Sequence, residues 1–137
     1  MSLAPNQIKH LEMIQGIVTR MNTNSFQIKG FTLAIVTGVL AVYANTKNIW
    51  LIQIGYIPVI ILWILDSYYL QHERKFRGLY NSIVNESVST DFKEFQMPLG
   101  NYRNGEYSLL SAMFVSVNCF IYLAILTFFV VFGLIIK

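Results

Sequence analysis

Apolar residues recur at helical spacing near the start of the chain, and long apolar runs follow further along it. Between Gln7 and Met21, the residues Ile8, Leu11, Ile14, Ile17, Val18 and Met21 return at steps of three and four, while Lys9, Glu12, Gln15 and Arg20 occupy other faces. This pattern predicts an amphipathic helix over residues 1–24. Such a helix can lie among lipid headgroups, join an oligomeric bundle, or pack on the protein's own helices. The polar run MNTNSF at 21–26 brings Asn and Ser side chains that compete for backbone hydrogen bonds. A break is expected there, with a new helix after it.

Spans are expected at 27–44, 49–70 and 109–136. The later two exceed the roughly 18 to 20 residues a helix needs to cross a hydrocarbon core. The first is shorter, so Lys29 should extend its stem toward the headgroups. Only Asn45, Thr46, Lys47 and Asn48 connect the first two spans, which therefore form an antiparallel hairpin. Trp50 marks one boundary of the second span, and Trp63, Tyr68 and Tyr69 mark the other. Pro58 should kink it, and Gln53 is its other irregularity. Past Asp66 the stripe Phe76, Leu79, Tyr80, Ile83 carries this helix on beyond the membrane, where the N-terminal helix is the expected packing partner. Residues 85–107, with Pro98, Gly100 and Asn104-Gly105, read as loop. The expected fold is a single all-α membrane domain over 1–137. It has three transmembrane helices, an N-terminal amphipathic helix, and a cytoplasmic extension of the second span with its loop at 71–108.

Composition strengthens the membrane assignment: 55% of the 137 residues are hydrophobic and only 12% charged, against about 25% charged in soluble domains. The net charge of +3 comes from residues beside the spans, so it sets orientation and implies no direct contact with nucleic acid. Lys9, Arg20, Lys29, Arg74, Lys75, Arg77, Lys93 and Arg103 fall on one side, with Lys47 and Lys137 on the other. The N-terminus and residues 71–108 are accordingly expected in the cytoplasm and the C-terminus outside. The first residues lack a signal-peptide pattern, so the mature chain is expected to begin where the sequence begins. Cys119 lies in an apolar run as a packing residue, and His10 and His72 have no ligand spacing. No catalytic residue, cofactor or metal site is expected.

The candidate residues concern helix contacts. Gly30, Ala34, Gly38, Ala41 and Asn45 share one face of the first span; small side chains there would admit the second or third span, or a second copy. Ser111, Asn118 and Tyr122 share the protein-facing side of the third span, with Asn118 as an interhelical hydrogen-bond partner. Lys29 and Asp66 stand at one membrane level across the hairpin, so an ion pair is expected between them. Glu73 and Arg77 form an i,i+4 pair. Arg74, Lys75 and Arg77 make a basic face that could meet a soluble partner or anionic lipid.

Three stretches together carry a family likeness: RMNTNSFQIKGF, LDSYYLQHERKFRGLYN, and Asp91-Phe92 before the last span. They resemble a widespread group of small multi-pass bacterial membrane proteins, similar to the SLATT membrane effectors found near prokaryotic antiviral systems. The matching positions are Asn24, Ser25, Phe26, Lys29, Leu65, Asp66, Tyr68, Tyr69, Glu73, Arg74, Phe76, Arg77, Leu79 and Tyr80. The resemblance implies a defence-associated, oligomeric protein of the inner membrane that acts on the bilayer when triggered. It transfers no catalytic residue. A membrane anchor that recruits a soluble partner through the basic cytoplasmic face is the alternative.

Overall fold

A computed structural model describes residues 5–86 and 95–135, and the described residues contain helices and short turns but no strand. Helix α1 spans Pro5–Thr46 and α2 spans Trp50–Glu86, followed by single 3-10 turns at Leu99–Asn101 and Gly105–Tyr107. Helix α3 spans Leu109–Met113 and α4 spans Ser116–Ile135. Three of these helices, α1, α2 and α4, are long and apolar enough to cross a membrane.

The α1–α2 connection is as tight as its sequence requires. Lys47 takes a left-handed conformation with φ 54°, and its N–H donates to the Tyr43 carbonyl at 2.8 Å. The Asn48 side-chain oxygen then accepts the Trp50 N–H at 3.1 Å and satisfies a free donor at the start of α2. Helix α2 runs unbroken through Pro58 for 37 residues.

Residues 21–26 do not interrupt α1, contrary to expectation. The Thr23 hydroxyl donates back to the Thr19 carbonyl at 2.9 Å, and Thr19 does the same to Gln15 at 3.0 Å. These hydroxyls are spent on the preceding turn of the helix, a use compatible with continuation, and Ser25 turns toward α2. The third span departs the other way, splitting at Phe114-Val115. Residues 114–118 (Phe, Val, Ser, Val, Asn) are all poor helix formers. The pieces on either side are tied to different points of α2, α3 through Ser111 to Arg74 and α4 through Tyr122 to Asp66.

Two cores close the hairpin. One, in the apolar half, gathers Val36, Tyr43, Ile52, Val59, Tyr122 and Phe129 from α1, α2 and α4. The other, in the polar half, joins Leu11 and Ile14 of α1 to Phe76, Leu79 and Ile83 of α2, with Met97, Leu99 and Tyr102 laid over them. Outside the first core the surface is bare and apolar: Phe31 is 62% exposed, Ile54 59%, Ile61 57% and Phe120 75%. So large an apolar exterior is suited to lipid and unsuited to water.

The small-residue face does not meet α2 or α4. Gly30, Ala34, Gly38, Ala41 and Asn45 are all exposed, and a Cβ added to Gly30 or Gly38 would find nothing within 4 Å. Ile28, Thr32, Val36 and Tyr43 face the bundle in their place. The contact of Ser25 and Lys29 with Asp66 fixes the rotation of α1, and one residue further on, at Gly30, the helix has turned by about 100°. Close approach is supplied instead by Gly55 of α2, where a Cβ would stand 3.3 Å from Val39 and 3.5 Å from Phe129.

Candidate functional site: a buried charge cluster and a basic shoulder

Asp66 of α2 is the most completely buried charge among the described residues, with no exposed surface, and the other two long helices, α1 and α4, supply it with donors. From α1, Lys29 Nζ approaches Oδ2 at 2.6 Å, while the Ser25 hydroxyl donates to Oδ1. From α4, the Tyr122 hydroxyl donates to Oδ2 at 3.0 Å. Lys29 Nζ also donates to Ser25 Oγ at 2.8 Å, which closes a ring of contacts. A carboxylate buried with several charge-assisted donors is stable in a setting where an isolated charge would not be. The two charges differ in access, since the Lys29 side chain remains 23% exposed.

Trp63 lies against this cluster, its ring stacked on Tyr122 at 5.8 Å and 12°. Ser67, fully buried, donates to the Trp63 carbonyl at 2.7 Å. Asn118 was expected to hydrogen-bond across helices. It is buried, but its Nδ2 has no partner among the described residues, and neither does Trp63 Nε1.

Further along α2 the other candidates separate into small groups. Tyr69 meets Tyr68 edge-on at 5.9 Å. Glu73 is buried and receives Arg77 Nε at 2.8 Å. Tyr80 packs on the core of the polar half. Arg74 donates from one terminal nitrogen to the Glu106 carbonyl at 3.1 Å and to the Ser111 hydroxyl at 3.4 Å. Gln71 Nε2 donates to the Tyr107 carbonyl at 2.9 Å, and the Tyr102 hydroxyl donates to Ser82 Oγ at 2.9 Å. Together these bonds clamp the segment around the second 3-10 turn against α2. Gly78 permits the close fit, because a Cβ there would lie 2.8 Å from the Tyr107 hydroxyl and 2.9 Å from the Tyr102 ring. Tyr107 is held above the ordinary phenol value, first by its hydrogen bond to the Glu106 side chain and then by burial.

The structure thus brings Lys29 and Asp66 together, and neither Arg74 nor the Glu73–Arg77 pair bonds to that cluster. Asp91, Phe92, Lys93 and Lys137 lie outside the described residues. Sequence reasoning gave Ser25 and Tyr122 no place around Asp66, and it overlooked Gly78, whose one signal is a glycine inside a helical stripe. Among the described residues no group of three His, Cys, Asp or Glu side chains could hold a metal ion. His72 Nδ1 lies 2.9 Å from the Tyr68 carbonyl, and His10 is buried with its ring 5.7 Å from Phe95. In the Asp66 cluster the Ser25 and Tyr122 hydroxyls both donate to the carboxylate, which joins α1 and α4 to α2. No family model, curated protein or solved structure matches the chain.

Proposed function

We propose that this is a membrane-acting subunit in which a cytoplasmic helical stalk controls the packing of three spans through the Asp66 cluster. The observation that carries this reading is the cluster's position. It ties α1, α2 and α4 together, and the same two helices, α1 and α2, continue without a break into the polar half. A displacement of the stalk would load the ion pair directly. The family resemblance supports placing such a subunit in the bacterial inner membrane, as an effector or accessory component of antiviral defence. The basic bias of residues 1–30 and 71–108 supports a cytoplasmic stalk and an external C-terminus. The bare face at Gly30, Ala34, Gly38 and Ala41 suits a homo-oligomer in which spans of neighbouring copies approach closely.

Regulated expression in a bacterium, alone and with the genes that neighbour it, tests this with a potential-sensitive dye. The wild type should depolarise the membrane in at least one combination, and Lys29→Met should change the extent. Unchanged potential and growth in every combination would end the effector reading. The anchor reading would then stand, in which the stalk recruits a soluble cytoplasmic partner. It is favoured by the separate core around Ile14, which lets the polar half keep its own shape.

A further inference from the structure

A cavity of about 520 Å³ opens at the shoulder where α2 leaves the apolar half, between α2 and the break that separates α3 from α4. Its wall is part polar and part apolar. Arg74, Arg77 and Asn81 of α2, with Tyr107, form the polar part, and Phe114 and Val115 form the apolar part. Arg74 is oriented by the Glu106 carbonyl and Ser111 hydroxyl, both neutral acceptors, and no carboxylate among the described residues pairs with it. Its charge is held in place without an ion-pair partner among the described residues. Arg77 uses only Nε on Glu73, so its two terminal nitrogens keep their donors. Glu106 supplies the one carboxylate in the lining, beside Tyr107.

We propose that this cavity binds the phosphodiester headgroup of an anionic phospholipid. The inference rests on the membrane-spanning reading of the helices and deepens the notion of a basic face. Depth along α2 agrees with it. From Trp50, at the far end of the apolar half, Arg74 lies about 36 Å up the helix, a little past a hydrocarbon core of roughly 30 Å and level with the headgroups. Two guanidiniums present the paired donors that a phosphate accepts. Below them Phe114, 64% exposed, leads to Val117 at 69% and Phe120 at 75%, a bare path for the acyl chains. A soluble phosphate would leave that apolar wall unused, which is why a lipid is the better occupant.

The test is native mass spectrometry of the full chain released from micelles carrying phosphatidylglycerol or phosphatidylcholine, with glycerol phosphate as the soluble headgroup. The wild type should retain phosphatidylglycerol preferentially. Arg74→Gln/Arg77→Gln should lower that retention about tenfold or more, whereas Lys75→Gln, outside the cavity, should leave it intact. Circular dichroism establishes that each variant is folded. Equal retention of both lipids, or no loss in the double variant, overturns the proposal. Glycerol phosphate competing as well as the lipid would also overturn it and reassign the cavity to a soluble anion. Because retention is read without any effect on membrane potential, a failure here is distinct from a failure of the effector reading.

Discussion

Around Asp66 the α1–α2 hairpin is held by a carboxylate and its donors inside apolar surroundings, whereas around Ile14 it is held by aliphatic and aromatic side chains beneath a polar surface. On the proposed reading, with lipid around the apolar half and water around the polar half, each half is fastened by the chemistry its surroundings lack. In lipid, burying another leucine gains nothing over leaving it among acyl chains, so packing and hydrogen bonds must choose the partner. In water, apolar burial is the main driving force and exposed ion pairs add little. The same two helices therefore change their mode of attachment on passing Asp66.

Removing one side of the ion pair should have the largest effect. Lys29→Met leaves a fully buried carboxylate with only Ser25 and Tyr122 as donors, and loss of one partner in a buried pair costs about 3–5 kcal/mol. Asp66→Asn should cost less, because Lys29 is partly exposed and can extend its stem outward. Lys29→Met/Asp66→Leu should recover most of the loss. Unfolding in micelles reads this order directly. If both single variants match the wild type, the cluster does not fasten the apolar half.

An identical truncation in each half sharpens the contrast. Ile14 and Ile52 are both fully buried, at 0% and 1% exposure, but in cores with different surroundings. Ile14→Ala should cost about 2 kcal/mol, the low end for such a change, because its core is small. Ile52→Ala should cost roughly half as much, since only packing is lost and no transfer from water is involved. Hydrogen exchange should show residues 5–24 and 71–86 opening in the first variant with the spans unchanged. Equal costs and a shared pattern of opening would mean that the hairpin is one cooperative unit with no division at Asp66.

Features governed by length and level were legible in the sequence. A four-residue connector forces a hairpin, and the hairpin puts Lys29 opposite Asp66. Features governed by rotation were not. The spacing of Gly30, Ala34, Gly38 and Ala41 shows that they share a face, but only the Lys29–Asp66 contact decides that this face points away from α2. Continuity through residues 21–26 was hidden for a related reason. A Thr or Ser hydroxyl can end a helix or bond back along it, and the choice at Ser25 depends on a carboxylate 41 positions away. The split at Phe114-Val115 likewise follows from where α3 and α4 are anchored on α2.

Glycines give the finest test of the two halves, with the smallest effects. Gly78→Ala would press a methyl group against Tyr102 and Tyr107, whose rings already meet edge-on at 5.1 Å. Overpacking of this kind costs about 1–3 kcal/mol, and the better helix propensity of Ala returns up to about 1. The net should be a loss of about 1 kcal/mol, seen as faster proteolysis around residues 99–107 with the spans intact. Gly38→Ala has nothing to collide with inside one copy, so a single chain should gain slightly from propensity alone. Cross-linking yield then separates the two effects. A Gly38→Ala variant that loses self-association while a single copy stays as stable would place a second chain on that face, and unchanged association would leave the face to lipid.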